Sequence, residues 1–161
     1  ARLHKMSLPV GGLLFALYSV LTGVMFSSIF ALYTYESIAS TFFITAGTFG
    51  AMSLYGYFTK KDLTSIGRFL FMGLIGLIIA SLVNLFLQSS MVTWITTYVG
   101  VLIFVGLTAY DTQKIKEMLL LHSQDGLTEN SMKVALFGSF MLYLDFINLF
   151  LKLLRIFGRR R

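Results

Sequence analysis

Two aspartates stand inside long apolar stretches of this chain, and they set the chemical question. Asp111 lies in Val105-Gly-Leu-Thr-Ala-Tyr-Asp-Thr-Gln113, and Asp145 in Phe140-Met-Leu-Tyr-Leu-Asp-Phe-Ile-Asn148. A carboxylate at membrane depth costs about 2.5–3.5 kcal/mol on insertion scales, so such a group faces a partner or a wet path rather than lipid. Two carboxyl groups brought together in a low-dielectric site do not both ionise cheaply, and they tend to share one proton. A divalent cation competes with that proton, because hard oxygen donors suit calcium. The chemistry within reach is therefore exchange of protons for cations. Tyr110, Gln113, Tyr143 and Asn148 are the nearby donors and acceptors. Asn148 follows Asp145 by three residues and so shares its helical face.

Blander roles exist for each group. Asp111 could be a solvated carboxylate at a helix end beside Lys114, and Asp145 could simply bond to a neighbouring helix. Arg2 could pair with the aspartates or serve as an ordinary anchor at the membrane surface. Sequence alone does not fix the rotation of either helix, so contact between the two aspartates is an expectation.

The elements that must position these groups are five apolar blocks: residues 8–33, 38–58, 66–87, 91–118 and 132–157. Each is about the length that crosses a bilayer as a helix. Lipid satisfies no backbone polar group, so helices are the spanning form, and short connections make neighbours antiparallel. The sequence predicts an all-α integral membrane protein, a single antiparallel bundle over residues 1–161. Pro9 falls in a first turn, where a missing N–H does no harm. Ala46-x-x-x-Gly50, Gly47-x-x-x-Ala51 and Gly76-x-x-x-Ala80 are small-residue pairs that permit close helix approach. They are assigned to packing within the bundle rather than to a dimer seam. The opening Ala1-Arg-Leu-His-Lys-Met6 reads as the trailing end of an earlier segment, so an N-terminal part is expected to precede it.

Composition narrows the function. The chain is 57% hydrophobic and only 12% charged, with a mean hydropathy of +0.80; charged residues are about half as frequent as in a soluble domain. Sixteen Phe and eight Tyr suit lipid-facing surfaces and interfacial belts. There is no cysteine, which excludes disulfides, thiolate nucleophiles and Cys-based zinc sites. His4 and His122 are too few for a histidine-rich metal site. The net charge of +6 comes from residues at helix ends, so anionic head groups, not nucleic acid, are the partner it fits.

Orientation follows from the same residues. The N-terminal side receives eight basic groups: Arg2, Lys5, Lys60, Lys61, Arg68, Lys114, Lys116 and Lys133. The far side receives five, all from the last segment: Lys152, Arg155, Arg159, Arg160 and Arg161. The loops make the N-terminal side cytoplasmic. The basic tail opposes this, unless the last segment re-enters without crossing.

Catalysis finds little support. Intramembrane aspartyl proteases also place two aspartates on adjacent helices, one after a tyrosine as in Tyr110-Asp111. Their Gly-x-Gly-Asp motif is replaced here by Leu142-Tyr-Leu-Asp145, and no Pro-Ala-Leu follows. Ser139 has no histidine in its region and no His-Glu-x-x-His occurs. The reading is that the chain is not an enzyme and needs no obligatory cofactor.

Ala109-Tyr-Asp-Thr-Gln-Lys-Ile115 and Leu142-Tyr-Leu-Asp-Phe-Ile-Asn-Leu-Phe-Leu-Lys-Leu-Leu-Arg-Ile-Phe-Gly158 closely resemble the Bax inhibitor-1, or transmembrane Bax-inhibitor-motif, family. Leu21-Thr-Gly-Val-Met-Phe-Ser-Ser-Ile-Phe30 and residues 41–57 resemble its bacterial branch. The resemblance implies a seven-helix fold around a central C-terminal helix, of which the five blocks would be the last five. It implies a pH-sensitive calcium leak, with the family's aspartate pair at Asp111 and Asp145 and its arginine latch nearest to Arg2. It also implies, as the other possibility, a membrane protein that regulates a membrane-bound protease or a stress or death pathway. The bacterial motif and short loops point to an inner membrane.

Overall fold

The computed structural model describes residues 6–123, 126 and 128–161. Arg2 lies outside the described residues. Five helices run through the chain: α1 (Leu8–Leu32), α2 (Tyr35–Phe58), α3 (Thr64–Leu87), α4 (Ser90–His122) and α5 (Glu129–Phe157). All five are long and apolar enough to cross a membrane. The protein is an all-helical integral membrane protein, as the sequence predicts.

The later helices start slightly ahead of the apolar blocks, because polar capping turns precede the hydrophobic runs. Thr34 caps α2 by accepting from the Ser37 N–H, and Glu36 sits in that first turn, where the helix dipole favours an anion. Glu36 is therefore helical. Thr128 and Ser131 form a reciprocal capping box on α5. In the α3–α4 turn, Gln88 takes a left-handed conformation, and the Asn84 side chain ties together Ser89 and Thr93.

α4 packs against α2, α3 and α5; α5 packs also against α2 and α1. The two C-terminal helices thus form the centre, and α1 and α3 lie at the periphery. Leu77, Ile103, Phe104, Leu107, Leu149 and Leu153 build the buried core. Outward-facing apolar groups are left bare, up to 90% for Phe86. Such exposure would be costly in water and is what lipid solvates.

The small-residue pairs do not make the contacts assigned to them. Gly47, Gly50 and Gly76 have open space where a Cβ would stand. Close approach occurs at other glycines, above all Gly56, where a Cβ would collide with the Ala109 carbonyl group. The helix rotation that buries Thr41 and Thr45 puts Gly56 on the inner face of α2 and Gly47 on the outer one.

The C-terminal tail also departs from the re-entrant alternative. After α5 it docks on the α1–α2 turn: Arg159 N–H donates to Ser37 Oγ at 2.8 Å, Thr34 N–H donates to the Arg159 carbonyl at 3.0 Å, and Arg161 N–H donates to the Leu32 carbonyl at 2.9 Å. α5 therefore runs the full length of the bundle, parallel to α1. Lys152, assigned by charge counting to the far surface, lies half-buried among the helices instead.

A candidate cation site between α4 and α5

The interior of the bundle carries its acidic groups where α4 and α5 cross. α4 continues through Leu119–Leu121 to His122, and this extension lets Asp111 and Asp145 meet on antiparallel neighbours. Asp111 is 7% exposed and Asp145 5%. The two carboxyl groups are close neighbours, and each acts electrostatically on the other. The second oxygen of Asp145, Oδ2, is fully buried and has no hydrogen-bond partner among the described residues. A buried carboxyl oxygen without a partner is costly, and a proton, a water or a cation would relieve it.

Both groups open into one recess of about 400 Å³ between α3, α4 and α5. Its apolar walls include Leu74, Leu77 and Ile78 of α3 and Phe104 of α4. Its polar groups include Asp111 and, along α5, Asp145, Asn148 and Lys152. Spacings of three and four residues keep these three α5 side chains on one stripe. No cluster of three or more His, Asp or Glu capable of holding a metal occurs among the described residues. An ion held here would have two carboxylates, the Asn148 amide oxygen after rotation of that amide, and water. That donor set is all-oxygen, as calcium requires, and too small to complete its six to eight ligands without water.

The remaining residues expected beside the pair are placed differently. Gln113 is turned away: its Oε1 accepts from the Leu63 N–H at 2.9 Å and its Nε2 donates to the Lys61 carbonyl at 2.7 Å, so the amide clamps the α2–α3 loop. Tyr143 faces α1, with its ring edge-on to Phe15 and Tyr18 at 5.7 and 6.4 Å. The Tyr110 ring fills the space over Gly67 of α3, beneath the Lys114 ammonium at 5.8 Å. Asn148 alone of the four lines the recess, and its Nδ2 donates to the Leu144 carbonyl at 2.8 Å. The recess residue that sequence reasoning missed is Lys152. Its spacing of seven from Asp145 is legible as one face of α5, but its charge assigns it to the surface.

The family model described as inhibitor of apoptosis-promoting Bax1 matches residues 1–161. The chain belongs to this Bax inhibitor family. Among its curated relatives, the inner membrane protein YbhL of Escherichia coli K12 is 59% identical over all of this chain and 68% of its own length. An uncharacterised protein of Rickettsia prowazekii is 54% identical over 98% of this chain and 65% of its own. One from Deinococcus radiodurans is 42% identical over 98% and 67% respectively. The chain thus spans about two thirds of the length of the Bax inhibitor family relatives it matches. The two motif segments that carry the resemblance in the sequence are the segments of α4 and α5 that hold Asp111 and Asp145.

Proposed function

We propose that this protein is a passive, proton-regulated cation leak of a bacterial inner membrane, with calcium as its favoured ion and the Asp111–Asp145 pair as its gate. One observation carries the reading: a buried carboxyl pair between α4 and α5, with Asp145 Oδ2 unpartnered among the described residues and the pair lining a largely apolar recess. A shared proton makes the pair a hydrogen-bonded clasp between the two central helices. Losing that proton leaves like charges in contact, which a cation neutralises or helix separation relieves. Acid then favours the clasped bundle and displaces calcium, while alkali favours cation entry. The inner-membrane location is carried over from YbhL. The loop charges support a cytoplasmic N-terminal side: Lys60, Lys61, Lys114, Lys116 and Lys133 share that end, against the docked arginine tail at the other.

The test is calcium flux into proteoliposomes between about pH 6 and pH 8, a range wide enough to titrate a shared carboxyl pair. Native protein should leak more as pH rises, and D111N and D145N should each flatten that profile. Native-like flux from both variants would remove the pair from the mechanism. A second reading rests on the family description, inhibitor of apoptosis-promoting Bax1, which implies a protein target; the resemblance read in the sequence makes a membrane protease or a death-pathway protein that target. Pull-down from membranes in parallel with flux separates the two: a partner retained by D145N, with no flux in any sample, favours that reading.

A further inference from the structure

The recess that holds the acid pair also holds a fixed positive charge. Lys152 follows Asp145 by two helical turns, about 10 Å along α5, and lines the same recess with Asn148 between them. Its alkyl stem crosses α4 at Gly100. A Cβ built there would stand 2.9 Å from Lys152 Cε, 3.2 Å from its Cδ and 3.3 Å from Leu77 Cδ2, so the glycine gives the stem its seat and a larger residue would displace it. Among the described residues the only ion pair is Lys133–Glu129, so no carboxylate there lies within salt-bridge distance of the Lys152 ammonium. Arg155, one turn further on, gives its Nη1 to Thr97 Oγ1 at 3.4 Å. Lys152 is thus a half-buried cation held against a glycine, unpaired among the described residues, inside a recess whose walls are otherwise largely apolar.

A lysine so placed does not assist cation binding; it opposes it, and by an amount that grows with the charge of the incoming ion. We propose that Lys152 is a charge-selectivity residue: with its stem seated on Gly100, its ammonium holds the Asp111–Asp145 recess against multivalent cations more strongly than against monovalent ones. The carboxyl pair attracts a divalent ion and Lys152 limits how tightly that ion stays, which suits conduction, where an ion must also leave. This rests on the reading of the acid pair as a cation site, and it sharpens that reading by naming what tunes the preference.

The experiment compares full-chain native protein with K152M, K152Q and K152R. Calcium binding is titrated calorimetrically in detergent, and calcium and potassium fluxes are measured in proteoliposomes; circular dichroism and gel filtration report folding. K152M and K152Q should bind calcium about fivefold or more tightly and raise the calcium-to-potassium flux ratio by a similar factor, since a given positive charge acts twice as strongly on a divalent ion as on a monovalent one. K152R, which keeps the charge, should stay within about twofold of native. Folded K152M and K152Q with calcium affinity near that of native, or with no detectable binding, overturn the proposal. If no sample carries ions above empty vesicles, the leak reading fails, and the calcium titration still decides the role of Lys152. Where K152M alone fails to fold, the K152Q titration decides.

Discussion

Gln113 of α4 accepts a hydrogen bond from the backbone N–H of Leu63 at 2.9 Å and returns one to the Lys61 carbonyl at 2.7 Å. Gln113 is 7% exposed and Leu63 5%, so this side chain satisfies a buried Leu63 N–H that no helix ladder serves. It also fixes the α2–α3 connection two residues beyond Asp111, and so helps hold the α4 end that carries the acid pair. Q113A should lower stability by about 1–3 kcal/mol, the usual cost of leaving buried backbone groups unpaired. Q113E sets a buried carboxylate oxygen against the Lys61 carbonyl, so it should cost at least as much as Q113A. Thermal unfolding in detergent checks this, and a Q113A midpoint equal to native would show that the loop does not depend on the clamp.

Helix α2 meets α4 backbone to backbone at one point. A Cβ at Gly56 would overlap the Ala109 carbonyl oxygen and lie 2.8 Å from its carbon, and backbone cannot rotate away as a side chain can. G56A should therefore force the helices apart and destabilise by about 1–3 kcal/mol or more, as overpacking does. G47A, on the same helix but facing open space, should be neutral or stabilise by up to about 1 kcal/mol through helix propensity. Parallel denaturation of the two variants tests the helix rotation directly. The reverse order of stability would mean that α2 is turned the other way.

At the surface, Asp62 organises the start of α3. Its Oδ1 accepts from the Thr64 N–H at 3.0 Å and from the Thr64 hydroxyl. These bonds favour the charged carboxylate, with the hydroxyl bond the largest effect and Arg68 a smaller one, and they hold Asp62 below its ordinary value of 3.8. The folded form then binds the proton less tightly than the unfolded chain does. Its stabilising contribution is complete above the unfolded value and fades as pH falls through the lower folded one. Carboxyl NMR titration in micelles should give a midpoint below 3.8, and T64V should move it upward. A midpoint at or above the ordinary value would mean that the Thr64 bonds do not form.

Hydropathy makes the five helices legible, and the carboxylates out of place within them mark the site. The helix starts at Tyr35, Thr64 and Glu129 precede the apolar blocks by a few residues, because a capping turn is polar while the block begins inside the helix. Which residues face one another is harder to read, since it depends on rotation. Gly47, Gly50 and Gly76 carry the familiar small-residue spacing yet face outward, while isolated Gly56 and Gly100 take the close contacts. Tyr143 sits two residues from Asp145, and that offset sends it to the opposite side of α5, against α1. Lys152 resembles a surface charge because basic residues cluster at that end of the chain. The space beside Gly100 on another helix receives its stem, and one chain segment read by itself cannot reveal that space.

The arginine tail bears on orientation, because its charge opposes the direction drawn from the loops. Arg159 N–H donates to Ser37 Oγ at 2.8 Å, Ser37 is 6% exposed, and the Arg161 guanidinium lies 4.7 Å over the Tyr35 ring. The tail is thus a strap that joins the end of α5 to the α1–α2 turn through backbone bonds, with its charge partly engaged by an aromatic face. Its first role is mechanical, which explains how a basic tail can sit opposite the basic loops. S37A should remove the partner of the Arg159 N–H and cost about 1–2 kcal/mol, while R161A should cost about 0.5–1 kcal/mol through loss of the cation–π contact. Orientation should be unchanged in both. Cysteine labelling from either side of the membrane, on single-cysteine variants at Ser123 and Arg160, checks that outcome together with thermal unfolding. Inversion of the labelling pattern on neutralising Arg159, Arg160 and Arg161 together would show instead that the tail's charge sets the topology.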